Sequence, residues 1–289
     1  MRATAVITGA TDGIGREIAR GLVREGITVV VGARNAARGE ALRTELRRER
    51  QDAEIELLPL DVADLASVRT FAAAVAARHP TIQLLINNAG AWFNERRDTA
   101  EGHELTLATN LLGPYLLTHL LLPQLHAGKP SRIVNIVSDA AGNYDPEDLE
   151  WAVRPYQGFG AYGQAKQALR MVTWTLAHQL AGSGVVANAV SPGFVKSGFL
   201  GKVGGVLPRL IRLVASVAAV TPEKGAATPL WVALAPELSR VTGRFFKDMK
   251  EQNGRFRERA ALEDLERRLE AMVGDANSVD MVGAVTNSA

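Results

Sequence analysis

The feature that most constrains this chain is a glycine-rich loop between an apolar strand and a helix, close to the N-terminus. The run Ala3 to Ile7 is short and apolar, which predicts a buried strand. The loop Thr8-Gly9-Ala10-Thr11-Asp12-Gly13-Ile14-Gly15 follows, and Ile14, Ile18 and Leu22 then recur at helical spacing. A strand, a glycine turn and a helix in this order favour an open α/β sheet with a phosphate-binding loop.

Each glycine of this loop has its own structural role in a phosphate-binding loop. Gly9 permits a tight turn, Gly13 lets the backbone approach a pyrophosphate, and Gly15 allows the helix to pack closely on the strand. The helix N-terminus adds free N–H groups and the positive end of the helix dipole. An ordinary glycine-rich turn is the alternative, because the spacing is G-x-x-x-G-x-G and not G-x-G-x-x-G. The predicted binding set therefore contains most of the loop: Gly9, Thr11, Asp12, Gly13, Ile14 and Gly15.

The end of the second predicted strand indicates which dinucleotide binds. Residues 28–31 form that strand, and the run Gly32-Ala33-Arg34-Asn35 follows it. An acidic residue near this point would hold the ribose 2′-hydroxyl of NAD, whereas an arginine suits the 2′-phosphate of NADP. No acid follows Arg34 before Glu40, and a guanidinium binds phosphate through paired hydrogen bonds. Arg34, with Asn35 beside it, therefore predicts NADP(H), while a solvated arginine at a helix start is the alternative.

Composition agrees with one α/β fold and excludes several kinds of site. The 289 residues are 47% hydrophobic, enough to bury one sizeable core. Because 33 basic residues nearly balance 31 acidic ones, nucleic acid is not an expected partner. The absence of cysteine excludes disulfides and thiol chemistry, and the five histidines show no metal-ligand spacing, so no metal site is predicted.

Strand and helix patterns alternate along the chain. This alternation predicts a doubly wound, mostly parallel sheet of about seven strands, a Rossmann fold, in a single domain with a helical C-terminal tail. The predicted strands lie near 4–8, 27–32, 54–59, 83–87, 131–137, 184–190 and 241–246. The predicted helices cover 13–25, 36–50, 64–78, 101–126, 160–181 and 222–235. Residues 1–250 are expected to form the domain, 251–274 an amphipathic helical extension, and 275–289 a disordered tail.

The sequence predicts neither a signal peptide nor a membrane span. The first strand starts at residue 3, and the most apolar run, 203–220, is interrupted by Pro208, Arg209 and Arg212. We therefore expect a cytoplasmic protein, for which a homodimer or a homotetramer is a possible assembly.

Tyr162 and Lys166 stand one helical turn apart in a predicted helix, so a phenol and an ammonium share one face. A cation within a few ångströms favours the phenolate and would move the phenol pKa from near 10 toward neutrality. Such a phenol can give a proton to a developing alkoxide. By itself the pattern is weak, because chance often produces it.

Four motifs in one order give that pattern its weight: Thr8-Gly9-x-x-x-Gly13-Ile14-Gly15, Asn87-Asn88-Ala89-Gly90, Ser138 with Tyr162 and Lys166, and Ser191-Pro192-Gly193. Over residues 3 to about 250 the chain resembles the short-chain dehydrogenase/reductase family. Within it the chain most resembles the retinol-dehydrogenase-like branch, through the runs 32–35, 109–122, 132–138 and 243–248. Membrane-bound members of that branch carry an N-terminal anchor that is not recognised here, so a lipid retinoid is not the expected substrate.

The resemblance implies four catalytic roles. Tyr162 would be the general acid in reduction and the base in oxidation, and Lys166 would bind the nicotinamide ribose and lower the phenol pKa. Ser138 would donate a hydrogen bond to the substrate carbonyl, and Asn110 would hold a water that links Lys166 to solvent. Donors fixed around a carbonyl oxygen stabilise the charge that develops there during hydride transfer. A turn residue at Ser138 and a helix-buried amide at Asn110 are the alternatives.

The resemblance also extends the cofactor-binding set. Asn88, Ala89 and Gly90 follow a predicted strand and would let the backbone approach the adenosine. Asp61, with Val62 beside it, is assigned to the adenine. The alternative for Asp61 is an N-cap of the following helix.

The last members of the cofactor set follow the sixth predicted strand. Pro192, Gly193 and Val195 would turn the chain toward the nicotinamide, and Ser197 keeps the hydroxyl of the threonine that the family often has there. The apolar segment 199–220 comes next and is predicted to be a mobile lid over the substrate.

The substrate is expected to be an apolar small-molecule carbonyl or alcohol. The lid segment is apolar, and four aromatic residues lie between Ser138 and Tyr162: Tyr144, Trp151, Tyr156 and Phe159. Packing of these segments on a partner subunit is the alternative. The sequence thus predicts an NADP(H)-dependent carbonyl reductase or alcohol dehydrogenase. A non-catalytic dinucleotide-binding regulator or partner-binding module on the same fold is the second hypothesis, and the four intact catalytic positions argue against it.

Overall fold

One sheet of eight strands organises the residues that the structure describes, which are 2–194 and 220–274 of a computed structural model. The strands are β1 (Thr4–Thr8), β2 (Thr28–Ala33), β3 (Ile55–Pro59), β4 (Leu84–Asn87), β5 (Ser131–Ile136), β6 (Val185–Ser191), β7 (Phe245–Lys247) and β8 (Lys250–Gln252). Their order is β3-β2-β1-β4-β5-β6-β7-β8, and β1 to β7 are parallel. The order reverses between β1 and β4, which in such sheets places the ligand crevice beyond the carboxyl ends of these two strands.

The helices cover both faces of the sheet. They are α1 (Gly13–Arg24), α2 (Ala36–Glu49), α3 (Leu65–Arg78), α4 (Leu105–Leu107), α5 (Gly113–Ala127), α6 (Gly158–Gln179), α7 (Pro222–Leu234) and α8 (Arg259–Val273). Successive residues of a strand point to opposite faces, so in β1 Val6 faces one apolar layer while Ala5 and Ile7 face the other. Helices α3, α5, α6 and α8 close the first layer, and α1, α2 and α7 close the second.

The predicted doubly wound α/β fold is confirmed, and most predicted strands and helices lie within two residues of the observed bounds. The last predicted strand, near 241–246, was wrong in its start, because Gly243 turns the chain with a φ of 69° and β7 begins at Phe245. Strand β8 was not predicted. It pairs antiparallel with β7 through a turn in which Asp248 and Met249 adopt φ of 50° and 55°. Aspartate is favoured at the first of these two positions, but glycine usually occupies the second, so Met249 hides the turn in the sequence.

The helix predicted over 101–126 was wrong in two respects. Helix α4 begins only at Leu105, after Glu104, whose carboxylate accepts hydrogen bonds from the N–H groups of Thr106 and Leu107. A π-helical turn, Ala108–Leu112, then separates α4 from α5. Such turns insert one extra residue into a helix and are frequent at functional sites.

The helical run Leu105–Ala127 is long and apolar enough to cross a membrane by length and composition alone. However, 78% of its most apolar part is buried inside the fold, and the core helix of a soluble protein passes the same test. This run is therefore weak evidence for a membrane span.

Of the helical extension predicted over 251–274, only Arg259–Val273 is helical, as α8, because the chain first completes the sheet with β8 at Lys250–Gln252. The apolar side of α8 buries Leu262, Leu265 and Leu269 in the same layer as α6. Arg268 also forms an ion pair with Glu147 at 2.6 Å, so α8 contacts the segment that precedes α6. Residues 275–289 lie outside the described part of the chain.

Candidate active site

The glycine-rich loop after β1 is packed too closely for larger residues. Gly9 and Gly13 have φ of 66° and 52°, in the left-handed region that favours glycine. A Cβ on Gly9 would lie 2.8 Å from the Cα of Ala89. A Cβ on Gly15 would collide with the carbonyl oxygen of Gly9 and the side-chain amide of Asn88. The close packing of this loop, called the glycine cradle below, is therefore possible only because Gly9 and Gly15 have no side chain.

The turn after β4 braces this loop. The hydroxyl of Thr8 accepts hydrogen bonds from the backbone N–H of Asn88 at 3.1 Å and of Ala89 at 3.0 Å. The side-chain amide of Asn88 donates to the carbonyls of Thr8 and Gly9, each at 3.0 Å. The structure thus brings two sequence motifs, 8–15 and 87–90, together as one unit.

Two residues of the predicted cofactor set cap helices. Asp12 is the N-cap of α1 and accepts from the N–H of Gly13 at 2.7 Å. Asn35 is the N-cap of α2 and accepts from the N–H of Arg38 at 2.9 Å. Both side chains orient helix starts that face the crevice. Of the other loop members, Ile14 packs on the second apolar layer, and Thr11 is half-buried.

Arg34 and Asp61 face each other across the ends of β2 and β3. The Arg34 guanidinium nitrogen lies 3.8 Å from the Asp61 carboxylate, and the Arg34 side chain is 74% exposed. Asp61 is not the helix N-cap that was the alternative for it, because Asp64 accepts from the N–H of Ser67 and caps α3. The carbonyl of Val62, in the same turn, lies against Gly113 at the start of α5.

Ser138, Tyr162 and Lys166 meet at the carboxyl end of β5. Tyr162 and Lys166 both lie in α6, and Lys166 Nζ is 5.8 Å from the centre of the Tyr162 ring. The Ser138 hydroxyl lies close enough to the Tyr162 phenol to act on its pKa. Lys166 is 2% exposed, and its Nζ donates to the carbonyl of Ile136 at 2.9 Å.

Burial controls the ionisation of both α6 groups. It raises the pKa of Tyr162 to about 12, against a smaller lowering by the Ser138 hydroxyl. It also lowers the pKa of Lys166 to about 7. This differs from the expected phenol pKa near neutrality. The physical reason is that the same burial that brings the two groups together disfavours the phenolate and the ammonium alike.

Asn110 lies in the π-helical turn, and its side chain points toward Lys166. Its amide nitrogen donates to the carbonyls of Ala91 at 2.6 Å and Thr106 at 2.7 Å. Its Oδ1 is buried and has no hydrogen-bond partner among the described residues. A Cβ on Gly90 would lie 2.9 Å from this Oδ1 and 3.1 Å from Lys166 Nζ, so the three groups surround one small space. An acceptor of this kind suits a donor from outside the protein, such as water.

The predicted nicotinamide turn is described only in part. Pro192 and Gly193 directly follow β6, where Gly193 has a φ of 75° and donates its N–H to the Ser191 hydroxyl at 3.3 Å. Val195, Ser197 and the lid predicted over 199–220 lie outside the described residues, apart from Val220 at its end. Within 2–194 and 220–274, no group of three or more histidine, aspartate or glutamate residues could hold a metal ion.

A sequence model described as short chain dehydrogenase matches residues 3–204. The chain belongs to the short-chain dehydrogenase family. That match covers most of the chain and includes Asn110, Ser138, Tyr162 and Lys166. Retinol dehydrogenases are among the similar proteins, which supports the retinol-dehydrogenase-like branch that the sequence motifs indicate.

Three named relatives illustrate the similarity. Dehydrogenase/reductase SDR family member 13 of Bos taurus is 43% identical over 248 residues, which are 84% of this chain and 65% of that protein. Retinol dehydrogenase 13 of Homo sapiens is 35% identical over 256 residues, 86% of this chain and 77% of that protein. Polyprenol dehydrogenase of Mus musculus is 39% identical over 255 residues, 86% and 76% of the two chains.

Solved structures agree with this family. An uncharacterised protein from Mycobacterium Paratuberculosis superposes with a TM-score of 0.72 at 31% identity, covering 94% of this chain and 93% of the other. The Pseudomonas aeruginosa RhlG/NADP active-site complex superposes with a TM-score of 0.69 at 26% identity, covering 85% and 94%.

Of the four aromatic residues expected at the substrate site of this dehydrogenase, only Phe159 lies beside Tyr162, with ring centres 6.5 Å apart. The other three aromatic residues contact residues other than Tyr162. Tyr144 packs on Phe256, Trp151 is buried, and Tyr156 donates its hydroxyl to Glu104 at 2.9 Å.

Sequence reasoning missed two residues that contact the site. Trp92 lies edge-on to Phe159 and Tyr162, with ring centres 5.3 and 5.8 Å away. Its position two residues after Gly90, beyond the carboxyl end of β4, was the available signal. Arg170 donates to the backbone carbonyl of Ser138 at 3.0 Å. It lies one turn after Lys166 on α6, a spacing that could have been read from the sequence.

Proposed function

We propose that this short-chain dehydrogenase transfers a hydride between NADP(H) and the carbonyl or alcohol carbon of an apolar small molecule, with Tyr162 as general acid and base. One observation carries the proposal. Tyr162 and Lys166 lie on one face of α6, with Lys166 Nζ 5.8 Å from the centre of the Tyr162 ring, and the Ser138 hydroxyl is near enough to act on the pKa of the phenol. A donor pair next to a buried lysine is what protonation of a developing alkoxide requires.

The residues of the crevice fit a dinucleotide. The glycine loop is held against the turn after β4, and α1 starts at Gly13, so the positive end of its dipole and the N–H groups of its first turn attract an anion. Lys166 and Asn110 bound a small space in which Asn110 Oδ1 has no partner among the described residues. When bound, the cofactor would supply or accept the hydride.

The protein's own groups would manage the proton. In reduction, the Tyr162 hydroxyl would give its proton to the substrate oxygen, while Ser138 donates a hydrogen bond to the same oxygen. The buried phenol, with its pKa raised to about 12, holds its proton firmly until that oxygen becomes basic. Lys166, whose pKa burial lowers to about 7, can exchange a proton near neutral pH and so restore the phenol. Asn110 would hold the water through which that proton arrives.

NADP is proposed over NAD because of Arg34. Its side chain is mostly exposed at the carboxyl end of β2, and its partner Asp61 is 3.8 Å away. At that distance and exposure the ion pair is weak, so the guanidinium is available to a 2′-phosphate. The RhlG structure, an NADP complex at 26% identity, agrees with this choice.

An apolar substrate is proposed because the surroundings of Tyr162 are aromatic. Trp92 and Phe159 flank its ring, and Phe159 is 59% exposed. By their names, relatives of this chain act on retinol and on polyprenol, which are apolar alcohols. Retinoids and isoprenoid alcohols therefore belong in the substrate panel beside simple ketones and aldehydes.

The test is a direct assay of NADPH consumption with a panel of apolar aldehydes and ketones, and of NADP reduction with the matching alcohols. Tyr162→Phe is the matched control, because it removes only the hydroxyl. We expect turnover by the parent and none by the control, with NADPH bound by both. If NADPH binds but no member of a broad panel is converted, the non-catalytic binding module becomes the better description.

A further inference from the structure

A second buried cation lies on the helix face that carries Tyr162 and Lys166. Arg170 follows Lys166 by one more turn of α6, so the three residues occupy positions i, i+4 and i+8. Lys166 is 2% exposed and Arg170 only 6%. An arginine side chain is rarely this buried unless it is paired with another group.

The two cations hold alternate carbonyls at the end of β5. Lys166 Nζ donates to the carbonyl of Ile136 at 2.9 Å, and Arg170 Nη2 donates to the carbonyl of Ser138 at 3.0 Å. Ser138 itself lies beyond the last residue of β5, outside the parallel ladder. Its backbone is therefore fixed by local contacts, of which Arg170 supplies the charged one.

The charge of Arg170 is poorly compensated. The guanidinium stacks on the Phe245 ring, 4.0 Å from its centre, and its Nε has no hydrogen-bond partner among the described residues. The carboxylate whose charge favours the Arg170 guanidinium is that of Asp139, which is itself paired with Lys247 at 2.8 Å. Burial accordingly lowers the pKa of Arg170 to about 10. A buried charge in this situation destabilises the fold, and an apolar residue of similar size would be neutral or stabilising there.

We propose that Arg170 is a positioning residue that, through its charge-assisted hydrogen bond to the Ser138 carbonyl, holds the Ser138 hydroxyl against Tyr162 and the reacting oxygen. The inference rests on the proposed function of the site, because Ser138 must act on a substrate oxygen. Arg170 would favour turnover without contributing to the stability of the fold. A residue that served packing alone would contribute to the stability of the fold and not to turnover.

Three substitutions of Arg170 separate these roles. Arg170→Met keeps the length of the side chain and removes both charge and donor, Arg170→Gln keeps a neutral donor, and Arg170→Lys keeps a charged one. With an active apolar carbonyl and NADPH, we expect kcat of the Met variant to fall about 10- to 150-fold, the range for loss of a hydrogen bond to a charged group. The Lys variant should regain most of that loss, while KM for NADPH and the melting temperature stay close to those of the parent.

Arg257→Met is the matched control. Arg257 also stacks on an aromatic ring, Trp174 of α6 at 4.6 Å, and donates to a backbone carbonyl, that of Gly243 at 2.7 Å. Neither of these contacts involves Ser138. Its substitution should leave kcat within about threefold of the parent, since it removes no group from the site.

A double variant tests whether Arg170 acts through Ser138. Ser138→Ala removes the hydroxyl, so adding Arg170→Met to it should cause little further loss of kcat. Fully additive losses would overturn the proposal, as would a Met variant that retains the parent kcat, or a Lys variant no better than Met. If the Met variant does not fold, kcat of Arg170→Lys is compared with kcat of Arg170→Gln instead. A kcat at least about fivefold higher for the Lys variant supports the proposal, and equal kcat values overturn it. An inactive parent would instead contradict the proposed function.

Discussion

Charged side chains have opposite environments in two regions: the proposed nucleotide edge, at the ends of β2 and β3, and the catalytic end, at the carboxyl end of β5. At the edge, Arg34 and Asp61 are 3.8 Å apart, with side chains 74% and 37% exposed. At the catalytic end, Lys166 and Arg170 are almost fully buried and donate to backbone carbonyls instead of carboxylates. Water screens charges of the first kind, so they can select a ligand at little expense to the fold. Charges of the second kind act strongly on their neighbours and weaken the fold in return.

The largest expected effect tests the buried region. Tyr162→Phe should lower kcat about 10²- to 10⁴-fold, the usual contribution of a positioned acid or base. The ring remains, so NADPH affinity should stay within a few-fold. Steady-state kinetics and NADPH titration measure the two quantities. A variant that keeps a tenth or more of the parent rate would show that Tyr162 is not the acid.

The second prediction concerns the opposite effects of Lys166 on function and stability. Lys166→Met should abolish most turnover and weaken NADPH binding, because the ammonium is proposed to hold the ribose. The same change should raise the free energy of unfolding at pH 7 by about 1–4 kcal/mol, as a buried charge is replaced by an apolar side chain. Urea denaturation and cofactor titration check both. Unchanged NADPH affinity would remove Lys166 from the cofactor site.

The stability gain of that variant should depend on pH. Burial lowers the pKa of Lys166 from 10.5 to about 7 in the folded protein. Between these values the unfolded chain holds a proton that the folded chain has released, so the parent becomes more stable as pH rises through this window. The advantage of Lys166→Met should therefore be greatest at and below pH 7 and fade toward pH 10. If the stability advantage of Lys166→Met grew with pH, the pKa of Lys166 would not be lowered in the folded protein.

The third prediction tests the exposed edge. The parent should prefer NADPH over NADH by about 10- to 150-fold, since a charge-assisted phosphate contact contributes about 1.5–3 kcal/mol. Arg34→Asp should narrow or reverse this preference without changing the melting temperature. The ratio of kcat/KM for the two cofactors is the measurement. Equal use of both by the parent would exclude the assigned role of Arg34.

The smallest effect is expected for an ion pair far from both sites. Arg24 and Glu49 join α1 to α2 at 3.2 Å, and the Arg24 side chain is 66% exposed. Arg24→Met should change the free energy of unfolding by less than about 0.5 kcal/mol, because solvent screens such pairs. If urea denaturation showed the free energy of unfolding to fall by more than about 2 kcal/mol, exposed ion pairs would stabilise this fold substantially, contrary to the comparison.

Sequence motifs located much of the candidate site because local geometry is encoded locally. Gly9 must adopt a φ of 66°, and Tyr162 and Lys166 share a face wherever a helix forms. The motifs did not reveal the π-helical turn at Asn110, because its sequence is that of an ordinary helix. They also did not reveal the β7–β8 turn, where Met249 takes a conformation that glycine usually occupies.

The sequence by itself determined the alternation of strands and helices, the glycine cradle and the family to which the chain belongs. Each depends on residues close together in the chain, where periodicity and backbone sterics act directly. Only the tertiary structure decided which groups become buried together. It placed the Arg170 guanidinium against the Ser138 carbonyl and Trp92 beside Tyr162. It also placed the Asn110 oxygen, which has no hydrogen-bond partner among the described residues, near Lys166. Burial then set the pKa of Lys166 and Tyr162, since the energy of a charge depends on all its surroundings, which no short stretch of sequence contains.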